Sequence, residues 1–186
     1  YLDRATVVHE PFRQWVIETG FTNGHPDWAA AGAQFVSNVE SHELMKLRCL
    51  NGTHSALAYL GYLAGHETIS DTVADTPFEL LCNKLWHDEI LPTLETPEGE
   101  DLPRYCRSLM ARDQNPAIRH RTWQIAMDGS QKLPQRILGT ITDRLAAGAV
   151  PQGLCLVVAG WIRYVGGEDE TGAPIDVKDP LADALK

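Results

Sequence analysis

Apolar residues recur at helical spacing along most of the chain, and residues typical of helix ends stand between the apolar stretches. In TPFELLCNKLWHDEIL, Thr76 and Pro77 suit the start of a helix, and Glu79 completes a capping box. The pattern predicts a helix from about Pro77 to Leu91. Its predicted inner face consists of Phe78, Leu81, Leu85 and Trp86.

Three further segments begin with an acid or amide and a nearby proline. Asp101 precedes LPRYCRSLMARD, Asn115-Pro116 precedes AIRHRTWQIA, and Asp179-Pro180 precedes LADALK. Each combination predicts a helix start. The stretches KLPQRILGTITDRLAAG and PQGLCLVVAGWIRYVGG have helical length and end at glycine, as a C-terminal cap does.

The first part of the chain has a different pattern. Residues 6–18, TVVHEPFRQWVIE, mix β-branched and aromatic residues around a proline, which favours an extended piece followed by a short helix or turn. GFTNGHPDW then has loop chemistry, and the helical pattern starts at about Trp28. We therefore expect an all-α, multi-helical domain at 29–186, preceded by a short extended entry segment at 1–28.

Composition restricts the classes of protein that the chain can belong to. Its 186 residues suit one domain, and 44% hydrophobic with 22% charged residues is typical of a globular fold. The longest apolar run, LCLVVAGWI, is about half of the ~20 residues that cross a bilayer, so no membrane partner is expected. The net charge of −9 argues against a nucleic-acid partner.

The four cysteines, Cys49, Cys82, Cys106 and Cys155, are far apart and form no C-x-x-C pair. They suggest neither a zinc site nor a disulfide framework. We expect buried free thiols in a reducing cytoplasm. The chain begins at Tyr1 without a methionine or a signal segment, so we also expect it to be part of a longer protein.

Polar residues interrupt the leucine-rich stretch KLRCLNGTHSALAYLGYLAG, at positions 46–65. On one regular helix, Lys46, His54 and Asn51 fall within about 140° of each other. A desolvated lysine has a lowered pKa and becomes an acid–base group, an amide N–H stabilises an alkoxide, and an imidazole holds a hydroxyl. The alternative is structural: a solvent-exposed lysine and a core histidine with a protein partner. Helical geometry alone leaves both open.

A metal site is a further alternative. His42, His54, His66 and His87 would be its ligands, but no tight pair such as H-E-x-x-H supports it. We expect no metal.

The motif K-L-R-x-L-N-G-x-H, at positions 46–54, resembles the core motif of the mannitol dehydrogenase family of long-chain polyol and uronate oxidoreductases. Three more segments look like family segments in the family's order: HEPFRQWVIE near the start, HRTWQIAMDGSQKLPQR from His120, and AGWIRYVGGEDETGAPIDVKDPLA from Ala159. Together they cover nearly the whole chain.

The resemblance implies roles for individual residues. Lys46 takes the place of the family's general acid–base, Asn51 that of one member of an oxyanion-stabilising pair, and His54 that of the residue that orients the substrate. Lys132 matches a substrate-side basic residue. Gln124 stands where polyol-specific relatives carry arginine, and QIAMDGSQK is more similar to the fructuronate reductase branch.

The resemblance also implies a second domain. Family members begin with an NAD-binding Rossmann-type domain, and this sequence has no G-x-G-x-x-G that follows a strand. The chain is therefore expected to be only the helical, substrate-side C-terminal domain, similar to that of 6-phosphogluconate-dehydrogenase-like enzymes. Its partners would be its own N-terminal Rossmann domain and the substrate, and the chain alone would be inactive.

The expected reaction is a zinc-independent hydride transfer between NAD and a sugar alcohol or aldonate, giving a ketose or ketouronate. A fructuronate reductase-like enzyme is favoured, with a mannitol 2-dehydrogenase-like enzyme as the alternative. Arg119, Arg121, Lys132 and Arg136 would bind a substrate carboxylate, or they form an ordinary ion-paired surface. A function of another class, a non-catalytic helical module that packs against a partner, also remains open.

Overall fold

Helices account for most of the chain from Glu40 onward in the computed structural model, which describes residues 4–5 and 12–186. The α-helices are α1 (Glu40–Met45), α2 (Thr53–Leu63), α3 (Ile69–Ala74), α4 (Thr76–Lys84), α5 (Leu102–Asp113), α6 (Thr122–Ile125), α7 (Gly129–Leu133), α8 (Gly139–Ala146), α9 (Gln152–Val165) and α10 (Ala182–Leu185). Three π-helical segments continue them: π1 (Lys46–Gly52), π2 (Leu85–Ile90) and π3 (Pro134–Leu138). Ala29–Ala31 and Leu91–Thr93 form 3-10 turns.

The core is built around α2, which packs against α6 and α9. Nearly every side of α2 is buried, as expected for a central helix. Gly160 of α9 allows the close approach, because a Cβ atom there would lie 2.5 Å from a methyl carbon of Leu60. The largest side chains of the core are Trp86, Tyr59, Tyr164 and Met45. The predicted all-α class is confirmed.

The region before Glu40 is less helical than predicted. β1 (Val16–Glu18) and β2 (Gln34–Val36) form a parallel pair, which confirms a short extended piece. The predicted start of the helical region at Trp28 is wrong, since only the turn Ala29–Ala31 follows it. The ring of Trp28 stacks on His25 and packs against Trp15, so aromatic contacts hold this region. Residues 6–11 lie outside the described residues, and the division into 1–28 and 29–186 stays a prediction.

Two predicted helix starts had different outcomes. Asp101 caps α5 as predicted, since its Oδ1 accepts the backbone N–H of Arg104 at 2.7 Å. The predicted cap at Thr76 is wrong: Thr76 is the first residue of α4, and the extended residue before it is Asp75. The helix then changes to π geometry at Leu85, and its predicted inner face is confirmed, with Leu85 and Trp86 fully buried.

The helix predicted directly after Asn115-Pro116 is wrong, because only Thr122–Ile125 is helical there. The side chain of Asn115 accepts the N–H of Ala117 at 3.0 Å, which stabilises a turn instead. Two residues near the C-terminus agree better with prediction. The Asp179 carboxylate accepts the N–H of Leu181 just before α10, and α9 ends at a glycine.

The cysteine prediction is correct for three positions. Cys49, Cys82 and Cys106 are buried free thiols, whereas Cys155 is free but exposed, because it lies on the outer face of α9. None of the helices in the described part of the chain is both long and apolar enough to cross a membrane.

Candidate active site

The candidate site is built on π1, which joins α1 to α2 in one continuous helix. The prediction of a regular helix over this stretch is wrong. Hydrogen bonds in a π-helix run from residue i to i+5, so each residue turns the chain by roughly 80° instead of ~100°. Asn51 then lies roughly 40° from Lys46 instead of ~140°, and His54 lies roughly 40° away on the other side. The π geometry therefore brings these three residues closer to one face of the helix.

Lys46 is exposed on this face. Its amino group makes no hydrogen bond or ion pair with any residue that the structure describes. Of the two alternatives for this residue, a desolvated or a solvent-exposed lysine, the chain alone has the exposed one. The amino group is accessible to a substrate.

Asn51 is half-buried, and its side-chain amide likewise makes no hydrogen bond in the described part of the chain. The backbone carbonyl of Asn51 accepts the hydroxyl of Ser55 at 3.0 Å, and the same hydroxyl lies 3.4 Å from a guanidinium nitrogen of Arg136. Segment π3 approaches closely here, because a Cβ atom at Gly52 would lie 2.9 Å from the carbonyl oxygen of Arg136. Arg136 thus approaches α2 at Ser55, which is one helical turn after Asn51.

His54 has a protein partner. Its Nε2 lies 2.9 Å from Oδ1 of Asp113, whose side chain is 6% exposed. The ring of His120 packs edge-on against that of His54, with 6.0 Å between the centroids. Nδ1 of His54 makes no hydrogen bond with the described residues. The imidazole is therefore fixed in orientation while one ring nitrogen stays unpaired.

Lys132 lies on α7, close to Arg136. Its Nζ donates to the carbonyl of Met127 at 2.6 Å and lies 3.8 Å from the Asp128 carboxylate. Burial lowers the pKa of Lys132, and Arg136 acts in the same direction. Asp179 fixes the start of α7, since its carboxylate accepts the N–H and the hydroxyl of Ser130 at 2.7 and 2.6 Å. Lys132 therefore lies near Arg136, whose guanidinium approaches Ser55 on α2.

Arg121 and Gln124 lie elsewhere. Arg121 is exposed, 4.0 Å from Glu67, and lines a cavity of about 430 Å³ beside Tyr62, at the C-terminal end of α2. Tyr62 is about 16 residues beyond Lys46, or roughly 24 Å along the helix. Gln124 is exposed on α6. The predicted group of four basic residues is thus divided, since Arg121 does not join Lys132 and Arg136.

The four-histidine alternative does not form a metal site. His54 pairs with Asp113, and His66 lies 3.4 Å from Asp75. Both ring nitrogens of His42 are buried and have no hydrogen-bond partner among the described residues. Within residues 4–5 and 12–186, no group of three or more His, Cys, Asp or Glu residues could hold a metal ion.

Two contacts of the site were not predicted from the sequence. Asp113 is the partner of His54 across 59 positions, and the indole N–H of Trp86 donates to the carbonyl of Cys49 across 37 positions. No local pattern relates residues so far apart. Trp86 was expected only as a core residue.

Fold and site together define a helical domain that presents a lysine, an amide and an imidazole from one helix. Residues 38–186 match the family described as the mannitol dehydrogenase C-terminal domain. The chain therefore belongs to the mannitol dehydrogenase family, as its sequence motifs predict.

Similarity to individual proteins of the family supports this membership. The chain is 55% identical over 179 residues to D-mannonate oxidoreductase of Escherichia coli, covering 96% of this chain and 37% of that protein. It is 37% identical over 187 residues to mannitol 2-dehydrogenase of Aspergillus terreus, covering 99% and 37%. The chain thus spans a little more than a third of the length of these curated relatives.

A solved structure shares the fold. The mannitol 2-dehydrogenase of Pseudomonas fluorescens, in a ternary complex with NAD and D-mannitol, matches with a TM-score of 0.89 and 38% identity. The match covers 95% of this chain and 36% of that one. The helical architecture is therefore that of about a third of the matched dehydrogenase.

Proposed function

We propose that the chain is the substrate-side, catalytic domain of an NAD-dependent dehydrogenase that interconverts a sugar alcohol or aldonate with its ketose or ketouronate. The observation that carries the proposal is the π segment Lys46–Gly52, in which Lys46 is exposed and whose smaller turn per residue puts Asn51 and His54 nearer to the same face of the helix. Membership of the mannitol dehydrogenase family supports the class of reaction.

Each residue then has a chemical task. In oxidation, neutral Lys46 accepts the hydroxyl proton of the substrate, and in reduction the protonated lysine returns it. The side-chain N–H of Asn51 donates to the developing alkoxide. His54, held by Asp113, accepts a hydrogen bond from a neighbouring hydroxyl. NAD, when bound, supplies the hydride acceptor.

The exposure of Lys46 fits a nicotinamide that another domain delivers. No described residue covers the amino group, so that face is open to a substrate and a cofactor. We expect the second domain to bury Lys46 when it closes, and burial would lower the lysine pKa toward the range of a general base. Without that second domain, the chain would bind neither the substrate nor the cofactor in a reactive arrangement.

An acidic sugar is the favoured substrate class. Lys132 lies near Arg136, whose guanidinium is 3.4 Å from the hydroxyl of Ser55 on α2, one turn after Asn51, and paired cations suit a carboxylate. The 55% identity to a D-mannonate oxidoreductase, against 37% to a mannitol 2-dehydrogenase, supports the same class. Arg121 is a weaker candidate because of its position at the far end of α2.

The alternative within the same class is a polyol dehydrogenase that resembles mannitol 2-dehydrogenase. The likeness to the structure that binds NAD and D-mannitol favours it. Both alternatives assign the same task to Lys46, so they differ only in the substrate.

The full-length protein tests the proposal through NADH oxidation with a ketouronate and the matching ketose. We expect faster turnover of the ketouronate, and Lys46→Ala should lower kcat by about 100- to 10,000-fold, the range of acid–base catalysis. NADH affinity should stay within about twofold, since the lysine acts only on the substrate. Lys178→Ala is the matched control, because Lys178 is exposed and its amino group pairs with the exposed Asp176, at 2.9 Å. Near-normal turnover of Lys46→Ala would disprove the acid–base role, and equal rates for both substrates would disprove the uronate preference.

A helical interaction module is the second candidate function. One observation favours it: an apolar groove of about 510 Å³ between α4 and α9. Leu60, Pro77, Phe78, Leu80, Leu81, Lys84 and Leu156 line it. Such a surface is typical of a face that packs against another domain or protein.

A further inference from the structure

One hydrogen bond connects the candidate site to the core. The indole N–H of Trp86, in π2, donates to the carbonyl oxygen of Cys49, in π1, at 3.0 Å. Both residues are fully buried. Cys49 lies between Lys46 and Asn51 in the chain, so the bond is made inside the turn that relates the two proposed catalytic residues.

A π turn needs such a donor. It places one extra residue in an α-helix, and where the hydrogen bonds return from i→i+5 to i→i+4, one carbonyl is left short of a backbone partner. A buried carbonyl without a partner is unfavourable, so a donor from outside the helix stabilises the turn at that position. The indole N–H of Trp86 is a donor of this kind, because it reaches the carbonyl oxygen of Cys49 inside the π segment.

Trp86 is itself held in a rigid frame. Glu89, also in π2, is buried, and its two carboxylate oxygens accept the N–H groups of Gly153 and Leu154, each at 2.7 Å. These bonds attach π2 to the first turn of α9. The indole N–H therefore reaches the carbonyl of Cys49 from a fixed position.

We propose that Trp86 is a positioning residue for the proposed reaction: its indole N–H keeps the π turn between Lys46 and Asn51. Without the bond, the extra residue can move along the helix. Where the turn leaves this stretch, Lys46 and Asn51 return to the ~140° separation of a regular helix. The effect on turnover rests on the proposed function, whereas the effect on the turn does not.

The experiment replaces Trp86 of the full-length protein with 3-benzothienylalanine, in which a sulfur atom takes the place of the indole N–H. The shape of the side chain is kept, so packing is preserved. The matched control is the same replacement at Trp161, whose Nε1 is buried without a hydrogen-bond partner among the described residues. The measurements are kcat and KM, the unfolding temperature, and hydrogen exchange of the amides at 46–54.

We expect the Trp86 replacement to lower kcat about tenfold, the effect of one lost hydrogen bond expressed in the transition state. KM should stay within about twofold, as expected for an interaction that acts on the transition state. Amides 46–54 should exchange faster, and the Trp161 replacement should change none of these values. An unchanged kcat for the Trp86 variant overturns the proposal, because Trp86 would then be only structural. This holds even if the unfolding temperature or the amide exchange changes. If the wild-type protein turns over no sugar substrate, the proposed function fails. Unchanged hydrogen exchange of amides 46–54 in the Trp86 variant would separately overturn the role of Trp86.

Discussion

The contact between His54 and Asp113 belongs both to the buried interior and to the proposed site. A buried carboxylate needs a partner, and the imidazole provides it at 2.9 Å. In the neutral ring, the carboxylate keeps the proton on Nε2, which leaves Nδ1 as an acceptor. The substrate-facing nitrogen of His54 is therefore expected to be Nδ1, and the substrate group a hydroxyl that donates to it.

Replacement of Asp113 with Asn tests this arrangement at the residue scale. An amide can present either its oxygen or its NH₂ group to Nε2, so the tautomer of His54 is no longer fixed. We expect KM for the sugar to rise about tenfold in the full-length enzyme, the value of one hydrogen bond, with NADH affinity unchanged. Asp88→Asn is the control, because Asp88 is exposed. An unchanged KM would rule out a substrate role for the pair.

At the scale of elements, the π segments lie together. In the described structure, π1 contacts both π2 and π3. Segment π2 also fixes the start of α9 through Glu89, which takes the place of a local N-cap. No side chain next to Gln152 caps this helix. The N-terminus of α9 therefore depends on a residue more than 60 positions earlier in the chain.

Loss of this carboxylate should destabilise the domain. Glu89→Ala removes two charge-assisted hydrogen bonds at a helix N-terminus and leaves two buried N–H groups without partners. We expect the free energy of unfolding to fall by about 3 kcal/mol. Urea unfolding of the 186-residue chain measures it. Glu95→Ala, at an exposed acid, should change it by less than about 0.5 kcal/mol. Similar values for both variants would contradict the capping role.

At the scale of the whole molecule, apolar side chains remain exposed on one surface. Leu80 is 63% exposed and Leu156 51%. Leu80 and Leu156 line the groove between α4 and α9. A groove this apolar favours association when nothing else covers it.

Light scattering of the chain alone tests this surface. We expect a molar mass that increases with concentration, and the double variant L80E/L156E should stay monomeric because charge opposes burial of the groove. The control is L145E, since Leu145 is 54% exposed but lies on α8, outside the groove. A wild-type chain that remains monomeric at every concentration would exclude the groove as an association surface.

Local signals in the sequence predicted much of the fold. Asp101 caps α5, and glycines end α8 and α9 where the pattern of caps indicates. These features depend on neighbouring residues, so they can be read from short segments. The prediction after Asn115 failed for a related reason, because a side-chain hydrogen bond to the backbone stabilised a turn that competes with a helix.

The sequence by itself determined the helical class, the core face of α4 and, through its motifs, membership of the mannitol dehydrogenase family. The tertiary structure decided how Lys46, Asn51 and His54 are placed relative to each other. A buried carbonyl in a π turn needs a hydrogen-bond donor, and the indole N–H of Trp86, 37 positions away, donates to the carbonyl of Cys49. Helical periodicity assumes that every residue turns the helix by the same angle. It therefore cannot reveal a segment in which contacts from elsewhere in the fold have changed that angle.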